Sequence, residues 1–287
     1  MKKTAAIFTA LLLASAGCGP GEKKSAVPVV ATSIFPVSDI ANRIGGNRIS
    51  AFYVIPAGAN PHIYEPQPSM ATRLGKTDLF IGIDPEYDGW IKKYLPKKAG
   101  HVFLKEKMKS GRYADNPHIW LTLMGAAEIA AQISVLLSGI DPAGGKYFEE
   151  NLEEFRTELR ALDEKISGMF RKCGNKKFIQ WHPAWDYFAA DYGLEISGTI
   201  EKGHGDVISV RSFRDLIRNA ARDRVGTITV ELNVDSREVD ALSRETGAEV
   251  ARLDSVGDPD VKEKSGYTAL MLYNARTLSE SLCRKGR

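Results

Sequence analysis

The sequence predicts an α/β protein made of two parallel-sheet lobes joined by a single long helix. Two observations carry this reading. Short apolar runs alternate with segments of helical period in two successive series, the arrangement that builds parallel sheets with right-handed crossovers. Between the series lies one uninterrupted amphipathic stretch, residues 144–172, longer than an ordinary globular helix.

In the first series Val29 to Ser33 reads as a buried strand, followed by a helix from about Val37 to Ile44 that ends at Gly45-Gly46. Ile49 to Ile55 is a second strand. Ser69 is placed as the cap of a short helix, Leu79 to Gly82 as a third strand and Val102 to Leu104 as a weaker fourth. A helix follows from about Thr122 to Leu137. In the long segment Tyr147, Leu152, Phe155, Leu159, Leu162, Ile166 and Phe170 recur at helical spacing, with charges on the other faces. The spacing is looser than a heptad, so a spine between lobes is expected rather than a coiled-coil arm, and the chain is expected to act as a monomer. The second series repeats the first. Strands are expected at Lys177–Gln180, Leu194–Thr199, Thr227–Val230 and Glu249–Leu253, and helices at Ala184–Tyr192, Ser212–Arg222, Ser236–Thr246 and Tyr267–Leu282.

The N-terminus reads as an export signal. Lys2 and Lys3 precede an apolar run, Ala5 to Ala14, too short to span a bilayer, and small residues lead to Cys18. This pattern resembles the lipobox of bacterial lipoproteins and implies that Cys18 is acylated, although Ser15 stands where Leu is usual. Ordinary cleavage with an incidental cysteine is the alternative. The expected organisation is a signal at 1–17, a lipid-anchored tether at 18–27, an N-terminal lobe at 28–143, the linking helix at 144–172 and a C-terminal lobe at 173–287. No further membrane span is expected. Loss of Lys2 and Lys3 lowers the formal charge from +3 to +1, and a nearly neutral chain without a basic stripe argues against nucleic acid as partner. Cys173 and Cys283 either pair in an oxidising compartment or remain two buried thiols.

Five histidines are present, and two of them sit in near-identical settings: Asn60-Pro61-His62-Ile63-Tyr64 and Asn116-Pro117-His118-Ile119-Trp120. Proline stiffens the corner before each histidine, so the side chain loses little freedom on binding. A third, His182, is followed by Pro183. Ligands of open parallel sheets lie beyond the carboxyl ends of the strands. His62, His182, Glu231 and Asp254 each follow a predicted strand, and His118 lies in a loop before a helix. His62 and His118 from one lobe, with His182 and a carboxylate from the other, make a four-coordinate metal site in the cleft between lobes. His101 reads as an ordinary strand residue. His204, in the Gly-flanked loop Lys202 to Asp206, and Glu231 are accessory candidates. Tyr64 and Trp120 are expected to shield the site, and Tyr187 and Phe188 to pack behind His182.

Longer stretches carry a family resemblance. They are Ile55-Pro56-Ala57-Gly58-Ala59-Asn60-Pro61-His62 with Tyr64-Glu65-Pro66, Asn116 to Leu121, His182 with Tyr187-Phe188 and Tyr192-Gly193-Leu194, and Gly247-Ala248-Glu249-Val250 running into Leu253-Asp254. In these the chain resembles the solute-binding lipoproteins of bacterial ABC importers for zinc and manganese. The resemblance implies metal ligands at His62, His118, His182 and Asp254, and delivery to a membrane permease driven by an ATPase. It also implies an extracytoplasmic, membrane-anchored location and no enzymatic activity. Thr122 replaces the Asp usual after Trp-Leu and is expected to cap the next helix, while Ser255 replaces the Pro usual after Leu-Asp. A His-rich acidic loop, common in dedicated zinc-uptake members, is missing between Tyr64 and His118.

Three imidazoles and one carboxylate favour Zn2+, with Mn2+ as the alternative. Two other functions use the same cluster: a secreted zinc hydrolase with Asp254 or Glu231 as base, and a metal-binding surface adhesin. Against the hydrolase, the chain has no His-Glu-x-x-His pair.

Overall fold

The computed structural model describes residues 27–59, 64–108, 111–113, 116–201, 207–232, 234 and 236–284. The signal segment, Cys18 and the first Asn-Pro-His lie outside the described residues, as does the loop with His204. The first half runs β1 (Val29–Thr32), α1 (Phe35–Gly45), β2 (Ser50–Tyr53), α2 (Pro68–Leu74), β3 (Leu79–Gly82), α3 (Pro85–Asp88) and β4 (Gly100–Phe103). It continues into α4 (Leu123–Ile140) and the long helix α5 (Gly145–Phe170). The second half runs β5 (Lys177–Gln180), α6 (Asp186–Asp191), β6 (Glu195–Thr199), α7 (Val210–Arg222) and β7 (Thr227–Glu231). It ends with α8 (Arg237–Thr246), β8 (Glu249–Leu253) and α9 (Tyr267–Arg284).

Each half contains one four-stranded parallel sheet, ordered β2-β1-β3-β4 in the first and β6-β5-β7-β8 in the second. The two orders are equivalent. In each, the chain leaves its first strand to one side and later crosses to the other, which opens a crevice at the strands' carboxyl ends. The β5 and β7 ends, which deliver His182 and Glu231, form that crevice in the second half.

Four helices fuse the halves. The largest apolar cluster takes Ile40 and Ile44 from α1, Ile129 and Ile133 from α4, Phe155 and Leu159 from α5, and Met271 and Leu278 from α9. The buried stripe of α5 is Phe148, Leu152, Phe155, Leu159, Leu162, Ile166 and Phe170. Here the sequence reading needs one correction. Phe148, four residues before Leu152, is buried, whereas Tyr147 is exposed and stands over Gly46. A five-residue step turns Tyr147 too far around the helix to join the stripe. Apolar α4 has the length and composition of a membrane span, but Ile129, Ala130, Ile133 and Leu137 face the shared core.

Two caps also differ from expectation. Gln67 precedes α2, with Pro68 as the first helical residue and Ser69 inside the helix. Thr122 does stand at the N-cap of α4, but its hydroxyl donates to Asp191 rather than accepting from the helix. That bond ties the entry of α4 to the end of α6. Ser209 and Ser236 cap α7 and α8 with side-chain bonds. Cys173, just beyond α5, is disulfide-bonded to Cys283 in α9, closing 110 residues of sequence and deciding between the two readings of these thiols.

Asp88 is fully buried at the carboxyl end of β3, accepting from Ile83 N at 2.6 Å and Asp84 N at 3.2 Å. Burial pushes its carboxyl up to about 7, against those two bonds, which favour the charged form. The folded chain therefore holds a proton there that the unfolded chain releases near pH 4. Stability is expected to fall as pH rises from about 4 to about 7 and then to level off. Urea midpoints of metal-stripped protein across this range should show that slope, and Asp88→Asn should make it shallower. Reducing the disulfide is expected to lower stability by about 2–4 kcal/mol, measured by the same denaturation with and without reductant.

Candidate metal centre

His118 opens the short turn before α4, and His182 follows β5. Their Nε2 atoms stand 3.2 Å apart, with ring centroids 4.9 Å apart and planes nearly perpendicular at 83°. The two imidazoles come from opposite halves of the chain.

Asn116 sets the orientation of the first. Its Nδ2 donates to Pro183 O and to Asp186 Oδ2, each at 2.7 Å, and these two acceptors fix which end of the amide is which. Its Oδ1 therefore faces His118, accepting from the backbone N at 2.9 Å and lying 2.7 Å from ring Nδ1. An acceptor there requires Nδ1 to carry the proton, leaving the Nε2 lone pair pointing at His182. His182 has a matching arrangement, its Nδ1 lying 3.4 Å from Glu201 Oε1. With the proton on Nδ1 in both rings, the two Nε2 lone pairs converge, an arrangement that a shared cation satisfies. A tetrahedral centre with metal–nitrogen bonds of ~2.0–2.1 Å separates two ligand nitrogens by about 3.3 Å. The observed 3.2 Å suits that geometry.

The surroundings hold these rings in place. Trp120 is fully buried, its ring 5.2 Å from that of His118, and its Nε1 donates to Ser255 O at 2.6 Å. Tyr87 packs edge-on at 6.2 Å. Trp120 thus shields the site as the sequence suggests, whereas Tyr64 packs against Trp90. Phe188 is buried in the core. Tyr187 is buried in the same core, as expected, and its hydroxyl also accepts from Asn116 N at 3.1 Å and donates to Asn116 O at 2.9 Å. His101 lies in β4 with its ring against Phe103.

A cavity of about 190 Å³ opens beside the imidazole pair, with His118, His182, Glu201, Glu231, Asp254 and Lys264 in its wall. Asp254, directly after β8, is locked at its main chain by Asn274, which accepts from Asp254 N at 2.8 Å and donates to Asp254 O at 2.7 Å. Its Oδ1 accepts from Val256 N at 3.0 Å and Gly257 N at 2.8 Å, and its Oδ2 accepts from Lys264 Nζ at 2.7 Å. Glu231 ends β7 with Oε2 buried and lacking a hydrogen-bond partner. Burial pushes its carboxyl up to about 7, with Glu201 adding to the rise and His182 opposing it. Among the described residues no three His, Cys, Asp or Glu side chains are drawn into an ion-sized cage.

Three of the sequence-selected residues, His118, His182 and Asp254, thus share one cavity with the accessory Glu231. Glu201 and Lys264 were not selected. Glu201 follows β6 and obeys the same strand-end rule that singled out Glu231, so the signal was present. Lys264 comes from a turn ten residues after Asp254, and no local pattern marks it.

The zinc-uptake complex component A, periplasmic (ZnuA) family model matches residues 30–281. The manganese ABC transporter substrate-binding lipoprotein PsaA of Streptococcus mitis is 27% identical over 313 residues, covering 99% of this chain and 100% of the relative. The zinc-binding lipoprotein AdcA of Streptococcus pneumoniae is 23% identical and matches all of this chain, which spans 62% of that relative. Among solved structures, a crystal structure of ZnuA superposes with a TM-score of 0.78 at 23% identity, covering 89% of this chain and 99% of the other. The Mn-bound periplasmic metal-binding protein of Candidatus Liberibacter asiaticus gives 0.78 at 19% identity with the same coverages. At these identities the structures show a shared two-lobe α/β fold.

The orientation of His118 is directly measurable. In metal-stripped protein at mildly alkaline pH, long-range 1H–15N spectra are expected to show its Nδ1 protonated. Asn116→Ala should release that tautomer and weaken metal binding about 10- to 100-fold; an Nε2–H tautomer in the unsubstituted protein contradicts the arrangement.

Proposed function

Because the chain belongs to the family of periplasmic zinc-uptake component A proteins, we propose that it captures a divalent transition metal outside the cytoplasm and hands it to an ABC importer. Its family is one of solute-binding components, so the hydrolase alternative falls away. The observation that carries the reading is the pair of Nε2 atoms 3.2 Å apart, each imidazole backed at Nδ1 by an oxygen. Such a pair has metal-ligand spacing, and its backing oxygens raise ligand basicity.

The ligand set is His62, His118, His182 and Asp254. Zn2+ is the preferred cargo and Mn2+ the alternative. Imidazole nitrogens support the first, while Glu201 and Glu231 in the cavity wall are oxygen donors that bring the second within reach. The named relatives divide the same way, PsaA with manganese and AdcA with zinc. Acylation at Cys18 would keep the protein at the membrane beside its permease and ATPase, as a monomer. In this reading Gly19 to Ala26 is the polar tether between that anchor and the first lobe.

Metal-stripped mature protein is expected to bind about one Zn2+ per chain, with His118→Ala and His182→Ala each lowering affinity at least 100-fold by calorimetry. Binding should weaken as pH falls, because protons compete for the imidazole lone pairs. Undiminished binding by the doubly substituted protein defeats the assignment. Competition between Zn2+ and Mn2+ for the same protein decides the cargo.

A further inference from the structure

Lys264 stands where a captured cation would compete for Asp254. Its side chain and that of Asp254 are both buried, at 8% and 6% residue exposure, and they pair at 2.7 Å. The division of labour on the carboxylate is informative. Oδ1 is held by the amides of Val256 and Gly257, so Oδ2 is the oxygen left for a ligand role, and the ammonium sits on it. A buried ammonium without a counter-charge is strongly disfavoured, yet this one has a second contact within reach. Its Nζ lies 5.6 Å from the Tyr273 ring centroid, within the range of a cation–π attraction. A four-carbon stem lets the ammonium shift between these partners without backbone motion.

We propose that Lys264 holds the metal's place on Asp254 in the unloaded protein and that capture exchanges the ammonium for the divalent ion. The inference rests on Asp254 being a ligand of the captured metal, as assigned above. The exchange keeps the buried carboxylate paired in both states. It also sets a threshold, since a cation that binds Asp254 too weakly cannot displace the lysine. Lys264 is thereby a positioning residue that tunes affinity without touching the metal.

The test uses metal-stripped mature protein titrated separately with Zn2+ and Mn2+. Lys264→Met, close in shape but uncharged, is expected to bind about tenfold more tightly, equivalent to about 1.4 kcal/mol. Lys264→Arg, which retains a cation, should gain less. In an Asp254→Asn background the gain from Lys264→Met should disappear. An unsubstituted protein that takes up neither metal defeats the capture reading and this inference with it. One that binds metal while Lys264→Met shows no gain, or gains equally without Asp254, defeats the exchange alone. Should the methionine variant fail to fold, reductive methylation of the unsubstituted protein followed by mass spectrometry reports on the same event. Lys264 is expected to react several-fold faster when zinc is bound, and equal rates with and without zinc overturn the proposal.

Discussion

Asn116 joins two requirements in one side chain. Its amide nitrogen binds Pro183 and Asp186 of the second half, and its amide oxygen holds the His118 imidazole of the first. The seam between the halves and the direction of the His118 Nε2 lone pair are therefore set by the same side chain. Tyr187 reinforces it by closing a pair of bonds with the Asn116 main chain. A carboxamide suits this position because it supplies two donors and an acceptor at once. An aspartate in its place would set a carboxylate against Asp186, and an alanine would leave the imidazole free to rotate.

The scaffold around that node is stiff. Helices α1, α4, α5 and α9 pack one continuous apolar core against both sheets, so the halves are not beads on a hinge. The hydroxyl of Tyr267 in α9 donates to Trp120 O at 2.8 Å, and Asp39 in α1 accepts from Tyr267 N at 2.8 Å. The disulfide ties α9 to the end of α5. The Lys264–Asp254 pair lines the same cavity as the imidazoles.

Much of this was legible in the residues. The alternation of apolar runs and helical periods located every strand to within a few residues, because parallel strands buried on both faces must be short and apolar. The stiff Asn-Pro-His corner and the strand-end rule selected His118, His182, Asp254 and Glu231, all of which line one cavity. Two side chains have partners that no local rule supplies. Thr122 stands at a helix cap but spends its hydroxyl on Asp191, and Tyr187 packs in the core while its hydroxyl serves Asn116. Each partner lies about 70 residues away in the sequence.

The sequence by itself determined the fold class, the paired βα series, the family and which side chains are candidate metal ligands, because these follow from local periodicity and residue chemistry. Only the tertiary structure decided which nitrogen of His118 faces the cleft, that Glu201 backs His182, and that Asp254 carries an ammonium. Those are properties of pairs brought together from distant segments. A hydrogen bond or an ion pair exists only once both partners have been placed, and packing around the shared core does the placing.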